Sequence, residues 1–126
     1  IGFEFILVEN LPHREAMKVK SSCDINIDQI SETGGWGYGM NSVEAMAMDL
    51  CCFTYLVPEC EKYFPGHPFI NVSKNNLEKK IIEFITQPEL IKKYAKQSRA
   101  WVFANHHYEN VRDQLYKYYS TIGIDF

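Results

Sequence analysis

The sequence lacks the features that mark several classes of protein. Its apolar runs are all far shorter than the ~20 residues that a membrane-spanning helix needs. Its 126 residues carry 13 basic and 16 acidic side chains, and this balance argues against a general nucleic-acid binder. The four cysteines include no CxxC pair, so we expect buried, reduced thiols, a cytoplasmic setting and no metal site.

Two familiar nucleotide-binding motifs are also missing. Glycines stand at positions 34, 35, 37 and 39, but they form neither GxGxxG after a first strand nor GxxxxGK[ST]. This excludes a dehydrogenase and a P-loop protein. Hydrophobic residues make up 46% of the chain, which predicts one globular domain with a real core. Because the chain opens just before a predicted strand, we expect residues 1–126 to be a single partial domain.

The order of apolar patterns predicts an α/β fold. Runs rich in β-branched and aromatic residues predict strands over 3–8, 23–28, 50–57 and 67–72. Helical spacing predicts helices over 13–22 and 41–48, another from 77, and a helical C-terminal tail over 88–126. Strands that alternate with helices predict a parallel sheet flanked by helices.

The glycine-rich stretch falls where a parallel sheet binds ligands, beyond the carboxyl ends of its strands. Its glycines allow backbone N–H groups to approach a ligand closely, and the helix that follows adds free amides and a positive dipole end. The stretch therefore predicts an anion site, with phosphate as the common occupant. The alternative is a flexible connection that needs glycine only for turns.

Glu44 allows two interpretations. If Asn41 is the N-cap of the helix, NSVE is a capping box and Glu44 only stabilises the helix start. Alternatively, its carboxylate lies beside a bound phosphate and accepts hydrogen bonds from a sugar diol.

A resemblance to a known family rests on residues 37–48, GYGMNSVEAMAM, which follow DINIDQ and precede an apolar run. This stretch resembles the core motif of group 1 glycosyltransferases, and residues 88–119 are similar to that family's closing pair of helices. The resemblance covers about residues 3–119. It implies part of the C-terminal domain of a GT-B fold, a Rossmann-like domain that binds a nucleotide-sugar.

The resemblance implies roles for particular residues. Glu44 falls on the glutamate that holds the ribose hydroxyls of the donor. The loop that meets the diphosphate and the donor sugar falls on Trp36, Gly37, Tyr38, Gly39 and Met40. The strand end beside the nucleotide base falls, as a looser match, on Val8, Glu9 and Asn10.

Two positions depart from the family's pattern. Trp36 stands where the family has the first glutamate of its pair, and the change implies another sugar, another donor pose or lost activity. Its indole either stacks on a sugar or packs under the loop. Asp49 stands where the family usually has glycine.

The resemblance also implies a function for the intact protein. A sugar passes from a UDP- or GDP-sugar to a glycan or other acceptor, with retained configuration, in polysaccharide biosynthesis. The resemblance implies neither a metal nor another cofactor, and it does not imply nucleic acid as a partner. The N-terminal acceptor-binding domain is missing, so we expect this chain to be inactive alone. The alternative is a catalytically degenerate scaffold or interaction domain, which Trp36 and Asp49 favour.

Some expectations concern surroundings and single side chains. An exposed sheet edge predicts self-association, and any membrane association would reside in parts outside this chain.

His106 and His107, near a helix junction, are expected to cap a helix or face solvent. Arg99, in mid-helix, is expected at the surface or in an ion pair, and Asp28 either forms a turn or lies at the ligand edge.

Overall fold

The computed structural model describes residues 2–34 and 37–126. Its first elements are α1 (His13–Ser21), β1 (Ile25–Ile27), a 3₁₀ turn (Glu32–Gly34), α2 (Met40–Ala47), β2 (Cys51–Thr54), α3 (Pro58–Glu61) and β3 (Ile70–Asn71). Three helices follow: α4 (Leu77–Thr86), α5 (Pro88–His106) and α6 (Tyr108–Thr121). None of the described helices combines the length and the apolar character needed to cross a membrane.

The three strands form one parallel sheet in the order β1-β2-β3. Asn26 is paired with Cys52, and Phe53 with Ile70. Strand β2 is buried at every residue, because it has a strand on each side and helices on both faces. The predicted α/β fold with a parallel sheet, flanking helices and a helical tail is confirmed.

The sheet separates two hydrophobic clusters, and neighbouring cysteines of β2 face opposite clusters. Cys51 packs with Phe53 and Phe84, whereas Cys52 packs with Met46 under α2. Both thiols are free and buried. Burial raises the pKa of Cys51 to about 12 and raises the pKa of Cys52 as well. The expectation of buried, reduced thiols is confirmed for this pair.

Helix α5 runs from one face of the sheet to the other. Pro88 occupies its first turn, and Leu90 packs in the cluster of Phe84. Arg99 bonds the turn that precedes β2, and Trp101 packs in the opposite cluster. The helix therefore passes the amino end of β2 and ends at His106, beside the loop that follows β1.

The prediction of a strand over residues 3–8 is wrong. This segment has no regular secondary structure, and its apolar side chains are exposed. Phe3 lies over α4, beside Leu77 and Ile81. A strand needs a hydrogen-bonded neighbour, and no described residue pairs with this segment. The local β propensity of residues 3–8 is therefore not sufficient to form a strand.

The other predicted elements are confirmed, with shorter strands. Strand β1 covers three residues, β2 four and β3 two, and hydrogen bonds of residues such as Asp28 and Val72 extend the pairing just beyond the strand ends. Helix α1 has Glu15 in its first turn and Lys18 and Lys20 in its last, which suits the helix dipole.

Candidate functional site

A depression of about 330 Å³ lies at the carboxyl edge of the sheet. One side is the loop after β1 together with the first turn of α2, and the other side comes from the segment after β2 and from the end of α5. The lining residues are Gly37, Tyr38, Gly39, Met40, Val43, Cys60, Phe64 and His106.

The loop presents backbone amides that have no acceptor within the described part of the chain. Among the described residues, the N–H groups from 37 to 41 donate to no acceptor, and the first intrahelical bonds run from Ser42 and Val43 to the carbonyl of Gly39. Unpaired amides in the first turn of a helix, next to its positive dipole end, favour an anion. The arrangement can therefore hold a phosphate through main-chain donors.

Tyr38 fixes the loop through its ring and its hydroxyl. Its ring centroid lies 5.0 Å from that of Phe64, 4.8 Å from Phe69 and 5.6 Å from Trp101. Its hydroxyl is hydrogen-bonded to Nε2 of His106 at 2.9 Å. Burial raises the pKa of Tyr38, so the hydroxyl stays protonated. The side chain is thus partly buried against the hydrophobic core and fixes the loop beside the depression.

His106 is a site residue that sequence reasoning missed. The expectation that it caps a helix or faces solvent is wrong, because it is half-buried, lines the depression and bonds Tyr38. Burial lowers its pKa, so the imidazole is neutral at physiological pH. The two residues are 68 positions apart, and no local pattern links them.

The capping-box interpretation of the start of α2, one of the two considered for Glu44, is wrong. The N-cap is Gly39, and no side chain caps the helix. Asn41 instead donates through Nδ2 to Asp28 Oδ1 at 3.2 Å, and the hydroxyl of Ser42 donates to Asp28 Oδ2 at 2.6 Å. Asp28 thus ties the end of β1 to the first turn of α2, and it draws Asn41 away from the cap position. Glu44 becomes the fifth residue of the helix.

Glu44 bridges α2 to α1 through both carboxylate oxygens. His13 Nε2 donates to Oε1 at 2.9 Å, and Lys20 Nζ donates to Oε2 at 3.0 Å. The His13 hydrogen bond, followed by that of Lys20, holds the pKa of Glu44 below its usual range against the opposing effect of burial. The carboxylate is therefore ionised and can accept hydrogen bonds from hydroxyl groups.

Glu44 lies beside the depression without lining it. It is one helical turn beyond Met40, which does line the depression. Residues four apart on a helix have Cβ atoms roughly 5–6 Å from each other. Glu44 is thus a helical neighbour of Met40, whose side chain is exposed.

Val8, Glu9 and Asn10, the residues predicted beside the nucleotide base, are not among those that line the depression. In the described part of the chain, Val8, Glu9 and Asn10 are exposed and form no hydrogen bond. Asn10 has a positive φ of 54°, so it belongs to a turn and does not end a strand. Trp36 lies outside the described residues. Within residues 2–34 and 37–126, no group of three or more His, Cys, Asp or Glu side chains is placed to hold a metal ion.

Comparison with known proteins gives a match to a family model. A family model described as glycosyl transferase-like matches residues 5–117. No curated protein and no solved structure matches the chain significantly. The matched range contains the strands, the glycine loop, Glu44 and His106, so the family assignment and the site concern the same part of the fold.

Proposed function

The chain belongs to the glycosyl transferase-like family, and from that membership we propose that its carboxyl-edge site binds a nucleoside-diphosphate sugar, such as a UDP- or GDP-sugar. The amides of residues 37–41, which have no acceptor among the residues that the structure describes, carry the proposal, because they offer main-chain donors at a helix N-terminus to a diphosphate. Ionised Glu44 offers acceptors for the ribose diol one helical turn away.

The proposed chemistry is transfer of the sugar to a glycan or other acceptor, with retained configuration. The departing diphosphate gains negative charge as the glycosidic bond breaks. Preorganised N–H groups of the loop would stabilise that charge more strongly in the transition state than in the ground state. The acceptor would lie in a second Rossmann-like domain of a GT-B enzyme, outside this chain, so we expect binding without turnover here.

The test is calorimetric titration of the protein with UDP and with GDP. Glu44→Gln keeps the shape of the side chain and removes its charge. We expect the free energy of binding to become less favourable by about 1.5–3 kcal/mol, which is the value of a hydrogen bond to a charged group. Glu78→Gln, in an exposed residue of α4, is the control and should bind like wild type. Equal affinity of Glu44→Gln and wild type would contradict the ribose role.

A further inference from the structure

The carboxylate of Glu44 has two partners on α1, and they differ in environment. The side chain of Lys20 is only 12% exposed, and its Nζ also donates to the carbonyl oxygen of Asn41 at 3.4 Å. The side chain of His13 is 73% exposed, and within the described residues its imidazole bonds nothing except Glu44. Lys20 is therefore a largely buried partner of Glu44, and His13 is a partner at the surface.

The two carboxylate oxygens are occupied accordingly. Oε2 accepts from buried Lys20, and Oε1 accepts from exposed His13. A solvent-exposed pair of this kind contributes little and breaks easily, whereas a largely buried ammonium cannot leave its partner without loss. A ligand hydroxyl can replace the imidazole on Oε1 and leave Lys20 in place on Oε2.

We propose that Lys20 is a positioning residue for Glu44, and that His13 competes with the ribose of the donor for Oε1. The inference rests on the proposed function. Lys20 fixes the orientation of the carboxylate through Oε2, and together with the His13 hydrogen bond it favours the ionised form. His13 holds Oε1 until a ribose hydroxyl displaces it and donates in its place. In the free protein, Oε1 of Glu44 is thus held in a hydrogen bond with His13 that the donor has to open.

The inference predicts effects of opposite sign for two residues that contact the same carboxylate. In titrations with UDP and GDP, His13→Ala should bind about two- to fivefold more tightly than wild type, because no competitor remains to be displaced. Lys20→Met should bind about tenfold more weakly, and Lys20→Arg should restore most of the affinity. Lys18→Met changes an exposed lysine of the same helix that pairs with Glu15, and it should behave like wild type.

A second readout separates positioning from general stability. The ¹³Cδ resonance of Glu44, followed against pH, should report a higher carboxyl pKa in Lys20→Met than in Lys18→Met. If the wild type binds UDP or GDP and His13→Ala binds equally well or more weakly, His13 does not compete with the ribose for Oε1. Wild-type affinity and an unchanged carboxyl titration in Lys20→Met overturn the positioning role. Binding by neither wild type nor His13→Ala overturns the proposed function itself.

Discussion

At Gly37 the loop passes so close to the segment after β2 that a side chain has no room. A Cβ added there would lie 2.9 Å from Sγ of buried Cys60. At Gly39 the nearest atom, Oδ2 of Asp28, would be 3.5 Å away, which is ordinary contact. Neither glycine has a positive φ. The loop therefore needs glycine at position 37 for close approach, and not for a left-handed backbone.

Gly37→Ala should lower the free energy of unfolding by about 1–3 kcal/mol, the usual cost of overpacking, and should weaken UDP binding because the loop has to shift. Gly39→Ala is the matched control and should cost less than about 1 kcal/mol, since it only changes the N-cap residue. Urea unfolding of both variants measures the difference. An equal loss of stability in the two variants would contradict the close-packing argument.

Asp49 explains one departure from the family's pattern in structural terms. It has a φ of 63°, its N–H donates to the carbonyl of Met46, and the N–H of Leu50 donates to that of Ala45. This is a Schellman ending of α2, in which glycine is the usual residue. Arg99 bonds the carboxylate of Asp49 at 3.1 Å, as expected for an ion-paired residue. Asp49 therefore ends a helix, and it gives no support to a degenerate site.

Among the elements, α1 and α2 show where sequence patterns are reliable and where they are not. The helical spacing of both segments was sufficient to predict them. The capping box failed because Asp28, 13 residues before Asn41, competes for the side chain that the motif would use. Local motifs do not include such tertiary competitors, so the exact start of a helix is less predictable than its existence.

Helix α5 connects the far face of the sheet to the glycine loop through His106. Burial lowers the pKa of His106 in the folded protein, so the unfolded chain binds this proton more tightly. The contribution of His106 to stability is therefore complete above about pH 6.5, the ordinary value for histidine. It is lost as the pH falls from there through the lower pKa of the folded state.

His106→Gln should consequently flatten the dependence of unfolding free energy on pH below about 6.5. His107→Gln, the same substitution at the adjacent position beside Glu109, is the comparison variant. Urea unfolding at several pH values measures how the unfolding free energy changes with pH. This slope does not depend on any pH-independent loss of stability in either variant. A wild-type slope in His106→Gln would show that this imidazole is not the titrating group.

At the scale of the whole molecule, the sequence was sufficient to predict where the candidate site lies, but only some of the residues that form it. Parallel strands place their following loops at one edge, so the glycine stretch was expected beside the segment after β2. The contribution of α5 could not be foreseen, because it depends on a helix that crosses from one face of the sheet to the other. The same limit applies to residues 3–8, whose β-prone sequence has no strand beside it.

The expectation of self-association stays a prediction, and two exposed apolar surfaces bear on it. One is the segment 3–8, and the other is the outer face of α6 with the residues that follow it. Contiguous exposed apolar groups of this kind favour association. The exposed side chains are those of Phe3, Phe5, Ile6, Leu7, Val8, Tyr108, Val111, Leu115, Tyr116, Tyr118, Tyr119, Ile122, Ile124 and Phe126.

The central claim is that main-chain amides hold the diphosphate while Glu44 holds the adjoining ribose. Titration of the ¹⁵N-labelled protein with UDP, uridine and inorganic pyrophosphate tests it most directly. We predict that UDP shifts the amide resonances of residues 37–41 and of Glu44 together, pyrophosphate only the former, and uridine only the region of Glu44. Shifts confined to residues 3–8 or α6, or none at saturating UDP, would contradict the claim.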